Sequence, residues 1–144
     1  MDLPTLAPND AAYIFFTSGT TGVPKGILGN HKGLSHFLHW QRDTFDIDSF
    51  DRAAQLTALS FDVLLRDVFL ALISGATLCL RDGPENAGPE QLMEWLERDE
   101  ITVMHSVPSL AQYWLANKPP SVSLPHLRYV FFAGEPLQIG RAHV

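Results

Sequence analysis

Disulfide bonds and membrane spans are missing from this sequence. One cysteine, Cys79, occurs in 144 residues, so no intrachain disulfide can form and a reducing compartment is expected. Its place inside an apolar, strand-like run predicts a buried thiol. Residues 1–10 lack a basic segment followed by an apolar one, and no uninterrupted apolar run approaches the length of a membrane span. We therefore expect a soluble, cytoplasmic protein.

Positive charge is also scarce. Ten lysines and arginines stand against 16 acidic residues, giving a formal net charge of −6, and the basic residues are scattered. Nucleic acids and anionic membranes are bound by clustered basic residues, so neither is an expected partner. Charged residues make up 18% of the chain, below the ~25% of average domains, whereas 46% of residues are hydrophobic. This composition predicts apolar surface that the chain itself leaves uncovered.

The most informative segment is a loop rich in glycine and hydroxyl groups that follows an apolar run. Residues 13–26 have the sequence Tyr-Ile-Phe-Phe-Thr-Ser-Gly-Thr-Thr-Gly-Val-Pro-Lys-Gly. Glycines let the backbone turn its N–H groups inward, hydroxyls add donors, and Lys25 supplies a positive charge, a combination suited to phosphate. A Walker A loop fits poorly, because Pro24 and Gly26 flank the lysine and no capped helix begins there. A plain flexible linker would need neither the Pro-Lys-Gly ending nor the preceding strand.

Periodicity along the chain predicts alternating strands and helices. Apolar runs indicate strands at residues 11–16, 53–58, 76–80, 101–104 and 127–132. Helices are predicted at residues 31–45 with Asn30 as N-cap, at 63–73 ended by Gly75, at 89–99 and at 109–116. Such alternation is typical of an α/β fold with a doubly wound, mainly parallel sheet and helices on both faces. We find no repeat and no second domain boundary.

Polar segments follow three of the predicted strands. They are the phosphate loop after Phe16, the pair Phe61-Asp62, and the turn Ala133-Gly134-Glu135. Because open α/β sheets bind ligands at the carboxyl ends of their strands, we expect the three segments to converge on one active site. Asp62 has a second interpretation, as a simple N-cap of the helix that follows, with Arg66 one turn further on.

The stretch from Ala12 to Gly26 resembles the signature loop of adenylate-forming enzymes, the superfamily of acyl-CoA ligases, luciferases and nonribosomal peptide synthetase adenylation domains. Together with the segment from Gly29 to Leu34, it is most similar to the peptide synthetase branch. The resemblance implies that residues 1–138 are part of the large N-terminal subdomain of such an enzyme. In that family the loop closes over the β- and γ-phosphates of ATP while a carboxylate attacks the α-phosphate. The Mg²⁺ ligand is expected outside this chain.

The same resemblance assigns roles to particular residues. It implies catalytic roles for Thr17 and Lys25. It implies nucleotide contacts by a larger set from the loop and the adenine-contacting turn: Thr17, Ser18, Gly19, Thr20, Thr21, Gly22, Lys25, Gly134 and Glu135. It implies an amino-acid pocket lined by Phe61, Asp62, Val63, Arg66, His105, Phe131 and Ala133. Asp62 would pair with the α-amino group of the substrate, which favours an amino acid over a fatty or aryl acid.

Two of these pocket residues have alternative interpretations. The position of Arg66 is often uncharged in the family, so a guanidinium could select an acidic or strongly polar substrate side chain. The side chain could equally turn away and pair with Asp62 or Asp67, which is the interpretation we favour. His105 follows a predicted strand and is either a pocket wall or a satisfied core histidine.

Other clusters suggest packing rather than chemistry. His31, His36 and His39 are spaced along one helix, but no cysteine or carboxylate ligand accompanies them, so we predict a surface helix and no metal site. Five large apolar residues are predicted to lie in the core: Leu92, Trp95, Leu96, Trp114 and Leu115.

The whole reaction implied by the resemblance is activation of an amino acid with ATP to an aminoacyl adenylate and pyrophosphate. The aminoacyl group then passes to the phosphopantetheine thiol of a carrier protein. The family's Tyr-Gly-Pro-Thr-Glu motif, ribose-binding aspartate, hinge and C-terminal catalytic lysine are absent here, so the chain alone is expected to be inactive. An acyl-CoA or aryl-acid ligase is disfavoured by Asp62. A non-catalytic nucleotide-binding relic is the third interpretation.

The two ends of the chain also carry expectations. Residues 3–10 resemble the linker just upstream of the signature loop. Residues 139–144 do not continue the helix expected after Leu137 and match the translation of a sequencing adapter, so we expect a non-native tail. An ordinary flexible terminus is the alternative.

Overall fold

The strands of the chain form a hairpin and a separate parallel sheet. The computed structural model describes residues 4–17, 22–81 and 88–137. Within those ranges, β1 (Ala11–Thr17) and β2 (Lys25–Asn30) pair antiparallel. Four further strands, all parallel, lie in the order β4-β3-β5-β6: β3 (Arg52–Gln55), β4 (Thr77–Leu80), β5 (Val103–Ser106) and β6 (Tyr129–Phe132).

Helices cover both faces of the parallel sheet. They are α1 (His31–Thr44), α2 (Val63–Ser74), α3 (Pro89–Arg98) and α4 (Pro108–Ala116). Side chains alternate along a strand, so Met104 of β5 joins the α3 and α4 side of the core while Val103 joins the α1 and α2 side. The predicted α/β fold with a mainly parallel sheet and helices on both faces is confirmed.

Local sequence signals explain where the helices begin and end. The Asn30 side chain accepts a hydrogen bond from the Gly33 N–H at 2.9 Å, as expected of an N-cap. Gly75 ends α2 in the left-handed conformation, with φ of 68°. No helix in the described part of the chain combines the length and the hydropathy needed to cross a membrane.

Three predictions of local structure need correction. The first predicted strand pairs with residues 25–30 in the hairpin and does not join the parallel sheet. The strand predicted at 101–104 begins at Val103, because the Ile101 N–H bonds to the Leu96 carbonyl and completes the turn after α3. Leu115 is 62% exposed, since it lies on the outer side of α4, whereas the other four predicted core residues are buried.

Part of the predicted uncovered apolar surface lies on the hairpin. Five large apolar side chains there are 55–68% exposed: Ile14, Phe16, Val23, Ile27 and Leu28. Cys79 lies in the core, as predicted, and burial raises the pKa of its thiol.

A buried carboxylate ties β6 to the start of the sheet. Asp51, 1% exposed, accepts hydrogen bonds from Arg128 Nη1 at 2.8 and 2.9 Å and from the Thr102 hydroxyl at 2.6 Å. It also accepts one from the Asp48 N–H at 3.0 Å. This site lies before the amino ends of the strands, opposite to the edge where ligands are expected.

Candidate active site

A cavity of about 580 Å³ lies at the carboxyl ends of β3, β5 and β6. Its walls come from the segment after β3, the first residues of α2, the end of β5, helix α4 and the turn after β6. Five of the seven residues expected to form the amino-acid pocket line it: Phe61, Asp62, Val63, His105 and Ala133. The topology therefore brings together two of the three polar segments that were expected to converge.

Asp62 stands just before α2, lines the cavity and is exposed to solvent. Its backbone is helical, with φ of −63° and ψ of −25°, and the side chain makes no capping hydrogen bond. A true N-cap residue has extended backbone and accepts a bond from the first turn, so the simple capping interpretation does not describe this residue. Leu56, Leu110 and Trp114 add apolar surface to the same cavity.

The turn after β6 is held against α4. Gly134 has φ of +84°, a conformation that favours glycine, and a Cβ there would come within 3.4 Å of Val107 Cγ1. The Glu135 carboxylate accepts bonds from the Ser109 N–H at 3.0 Å and from the Ser109 hydroxyl at 2.9 Å. Both oxygens of the carboxylate are thus engaged at the first turn of α4, where Val107 offers no side-chain cap.

His105 is both a cavity wall and a satisfied buried histidine. The side chain is 3% exposed, and its Nδ1–H donates to Asp67 Oδ1 at 2.8 Å. On the other edge of the ring, Nε2 lies 2.9 Å from the Gln41 side-chain amide, within hydrogen-bond distance. The two interpretations left open from the sequence therefore apply together.

Arg66 does not line the cavity. Its guanidinium carbon lies 4.5 Å from the centre of the Phe37 ring on α1, in a cation–π contact. Within residues 4–17, 22–81 and 88–137, no ion pair joins Arg66 to Asp62 or Asp67. The side chain turns away from the cavity, as we favoured, but toward an aromatic ring instead of a carboxylate. The cause is the packing of α2 on α1, which the sequence of α2 alone does not specify.

Phe131 also lies outside the cavity wall. Its ring stacks on His105 at 5.2 Å and meets the edge of Phe45 at 4.8 Å, within the α1 and α2 side of the core. It supports the pocket from behind through His105. The register of the sheet pairs Phe131 with His105, so both side chains lie on the same face and Phe131 packs beside His105 on the α1 and α2 side.

The predicted phosphate loop connects the two strands of the hairpin. Thr17 and Lys25 are direct cross-strand partners, both exposed, at the end where the loop leaves β1 and returns to β2. The Lys25 ammonium makes no ion pair with the residues that the structure describes. Ser18, Gly19, Thr20 and Thr21 lie outside the described residues, whereas Gly22 is described and has φ of +80°. None of the described loop residues lines the cavity that contains Asp62.

Close contact within the hairpin explains Gly29. The Tyr13 ring lies directly over this residue, and a Cβ at Gly29 would overlap the ring atoms. The ring also meets Phe15 edge-on at 5.7 Å. The pairing of Tyr13 with Gly29 thus sets the register that brings Thr17 opposite Lys25.

Sequence comparison places these features in a known family. The model of the AMP-binding enzyme family matches residues 1–143. The chain belongs to the AMP-binding enzyme family. It spans 5–28% of the length of the curated relatives it matches.

Three members illustrate the similarity of this AMP-binding chain to known proteins. The L-proline–[L-prolyl-carrier protein] ligase of Streptomyces coelicolor is 38% identical over 136 residues, covering 92% of this chain and 25% of the relative. The nonribosomal peptide synthetase FmoA3, solved with AMPPNP bound, matches with a TM-score of 0.83 and 29% identity over 94% of this chain and 14% of that one. The Vibrio cholerae adenylation domain AlmE, in complex with glycyl-adenosine-5′-phosphate, matches with a TM-score of 0.76 and 36% identity over 90% and 24%.

Several residues of the site carry no motif in the sequence. Gln41 and Asp67 orient His105, and Ser109 binds Glu135. A polar residue on the apolar face of a predicted helix was the available signal for Gln41, and a carboxylate within an almost wholly apolar helix was the signal for Asp67.

Proposed function

We propose that this chain is part of a cytoplasmic enzyme that activates an amino acid with ATP, giving an aminoacyl adenylate and pyrophosphate. The observation that carries the proposal is Asp62, an exposed residue that lines the cavity and whose side chain makes no capping bond. The carboxylate is therefore available to a cation, and the α-ammonium group of an amino acid in the cavity would supply one through a charge-assisted hydrogen bond. The similarity to AlmE, solved with glycyl-adenosine-5′-phosphate, supports the same class of substrate.

The phosphates of ATP would be held by the loop between β1 and β2. Thr17 and Lys25 stand opposite each other at its two ends, and the lysine has an exposed ammonium available for phosphate oxygens. The carboxylate of the amino acid would bond to the α-phosphorus of ATP, and pyrophosphate would leave. We expect the residue that binds the Mg²⁺ of ATP to lie outside this chain. Gly134 would let the adenine lie close to the backbone of the turn, and Glu135 would keep that turn against α4.

The complete reaction is proposed for the whole enzyme, with the aminoacyl group then passed to the phosphopantetheine thiol of a carrier protein. The chain covers a quarter of the proline ligase, whose own name includes a carrier protein. We expect residues 1–144 alone to be inactive, because the family's C-terminal catalytic groups are not among them.

Amino-acid-dependent exchange of pyrophosphate into ATP tests the proposal in the complete enzyme. Asp62→Asn removes the charge while keeping the shape of the side chain. Loss of a charge-assisted hydrogen bond costs about 1.5–3 kcal/mol, which corresponds to a fall in kcat/KM for the amino acid of roughly 10- to 150-fold. The matched control is Asp43→Asn, because Asp43 is exposed on α1 beside Arg42 and away from the cavity, and kcat/KM should stay unchanged.

A substrate lacking the amino group sharpens the test. Its kcat/KM should be low with the original enzyme and should not fall further in Asp62→Asn, since no ammonium is present to lose a partner. Exchange supported by a plain fatty or aryl acid, and not by any amino acid, would contradict the proposed function and identify an acid ligase instead.

A further inference from the structure

A series of buried hydrogen bonds runs behind one wall of the cavity. The Thr57 N–H donates to Asp67 Oδ2 at 3.2 Å, and Asp67 Oδ1 accepts from His105 Nδ1 at 2.8 Å. His105 Nε2 then hydrogen-bonds with the Gln41 side-chain amide at 2.9 Å. Asp67, His105 and Gln41 are 1%, 3% and 1% exposed. Thr57 and His105 line the cavity, whereas Asp67 and Gln41 lie behind it.

The chemistry of the donors and acceptors decides where the imidazole proton resides. A carboxylate can only accept, so the bond between Asp67 and His105 requires a hydrogen on Nδ1. Gln41 turns its amide nitrogen toward Nε2, and its Oε1 is buried with no hydrogen-bond partner in the described part of the chain. The imidazole therefore donates to α2 through Nδ1, and its Nε2 is held by the Gln41 amide on α1.

We propose that Asp67 is a positioning residue for the substrate pocket, which holds a proton on Nδ1 of His105 and so fixes the ring as a cavity wall. The inference rests on the proposed function of the cavity as the amino-acid site. The ring is tied at both nitrogens and stacked on Phe131 at 5.2 Å and 28°, so it has little freedom to rotate. Asp67 also holds the Thr57 segment, and its helix begins just after Asp62, so one carboxylate links three parts of the wall.

The hydrogen bonds at both ring nitrogens limit how His105 can contact a substrate. Because Asp67 and Gln41 occupy both ring nitrogens, His105 presents carbon surface to the cavity and offers no hydrogen bond to a substrate side chain. The ring therefore selects by shape. Any displacement of the ring should change amino-acid binding more than nucleotide binding.

Asp67→Asn tests the proton on the ring directly. The Thr57 N–H still needs an acceptor, so the new amide should turn its oxygen toward Thr57 and its NH₂ group toward His105. Nδ1 must then accept, the proton should move to Nε2, and the Gln41 amide should reverse to present Oε1. Two-bond ¹H–¹⁵N correlations of the imidazole rings in the isotope-labelled chain report the proton's position, and the His105→Phe spectrum identifies the His105 signals.

Asp51→Asn is the matched control. Asp51 is also a 1% exposed carboxylate with one backbone and several side-chain donors, but it lies away from the cavity. This variant should lower the melting temperature without moving the His105 proton. Should Asp67→Asn fail to fold, Gln41→Glu decides, because a second carboxylate next to Nε2 should give protons on both ring nitrogens.

Kinetics of the complete enzyme provide the functional readout. Misplacing a reacting group by about 1 Å can cost roughly 10²-fold. Asp67→Asn keeps a hydrogen bond at each ring nitrogen with its direction reversed, so KM for the amino acid should change little. Asp67→Ala removes the bond at Nδ1 and frees the ring, so KM for the amino acid should rise at least about tenfold with KM for ATP unchanged, while Asp51→Ala changes neither. In a His105→Phe background, Asp67→Ala should raise KM for the amino acid much less, because Asp67 acts mainly through His105.

Three results would overturn the inference. They are a ring protonated on Nε2 and not on Nδ1 in the unaltered chain, a proton that stays on Nδ1 in Asp67→Asn, and a KM for the amino acid that Asp67→Ala leaves unchanged. Absence of any amino-acid-dependent exchange in the unaltered enzyme would instead refute the proposed function. The NMR result distinguishes the two cases, since it needs no substrate.

Discussion

Glu135 should stabilise the first turn of α4, and the size of the effect can be estimated from its contacts with Ser109. Both carboxylate oxygens accept bonds from Ser109, one from the backbone N–H and one from the hydroxyl. Ser109 is the second residue of α4, whose N-cap residue Val107 provides no side-chain acceptor. Glu135 therefore supplies the cap of α4 from 26 residues away. Glu135→Ala removes that cap and frees the turn.

The expected loss follows from the value of a helix cap. An N-cap side chain contributes about 0.5–2 kcal/mol, and a negative charge at a helix N-terminus adds roughly 0.3–1 kcal/mol. Since Glu135 and Ser109 are both exposed, solvent screens the pair and the lower part of the range applies. We expect Glu135→Ala to lower the free energy of unfolding by about 1–2 kcal/mol and the melting temperature by about 3–8 °C.

Thermal unfolding followed by circular dichroism measures this change, with Glu94→Ala as the control. Glu94 is also an exposed glutamate, but it lies on α3 and takes no part in the cap of α4, so its removal should change stability by less than about 0.5 kcal/mol. A double-mutant cycle with Ser109→Ala should show a coupling of about 0.5–1 kcal/mol. Additive effects in the cycle, or an unchanged melting temperature in Glu135→Ala, would contradict the capping role.

Two further predictions concern side chains outside the cavity. Arg66→Met removes the cation–π contact with Phe37, so the free energy of unfolding should fall by about 0.5–1 kcal/mol. KM for the amino acid should stay constant in exchange assays. A changed amino-acid preference would show that the guanidinium reaches the pocket. Burial raises the pKa of the Cys79 thiol above its ordinary value of 9.0. Below pH 9.0 the thiol is protonated in both the folded and the unfolded chain, so it does not change the free energy of unfolding. Above that pH the unfolded chain ionises more readily, so the free energy of unfolding should fall. Cys79 should accordingly react with a thiol reagent far more slowly in the folded chain than in denaturant, and equal rates would contradict its burial.

Several local features around the candidate site could be predicted from the sequence because their signals are local. The loop from Thr17 to Lys25, the N-cap at Asn30 and the glycine at position 134 are each defined by residues a few positions apart. Such patterns depend on backbone preferences and short-range hydrogen bonds that operate whatever the rest of the chain does. The order of strands and helices follows from periodicity for the same reason.

The orientation of individual side chains was not accessible in this way. Arg66 was expected beside a carboxylate, yet the approach of α1 to α2 offers it the Phe37 ring. Phe131 was expected in the pocket, yet it packs against Phe45 and stacks on His105, its neighbour in the sheet. Some strands begin or end two or three residues away from the predicted positions, because the backbone N–H groups there bond within a turn instead of with a neighbouring strand. Ile101 is an example, since its N–H bonds to the Leu96 carbonyl.

Neighbouring residues alone specify the family, the α/β order of elements, the Gly- and hydroxyl-rich loop and the presence of Asp62 after a strand, because each rests on a pattern a few residues long. Packing in three dimensions was needed to show that β1 and β2 form a hairpin of their own, and that Asp62, His105 and Ala133 share one cavity. The same packing lets Gln41 and Asp67 hold His105, across 64 and 38 residues of chain. Contacts over such separations depend on how helices pack on the sheet, and no local pattern encodes them.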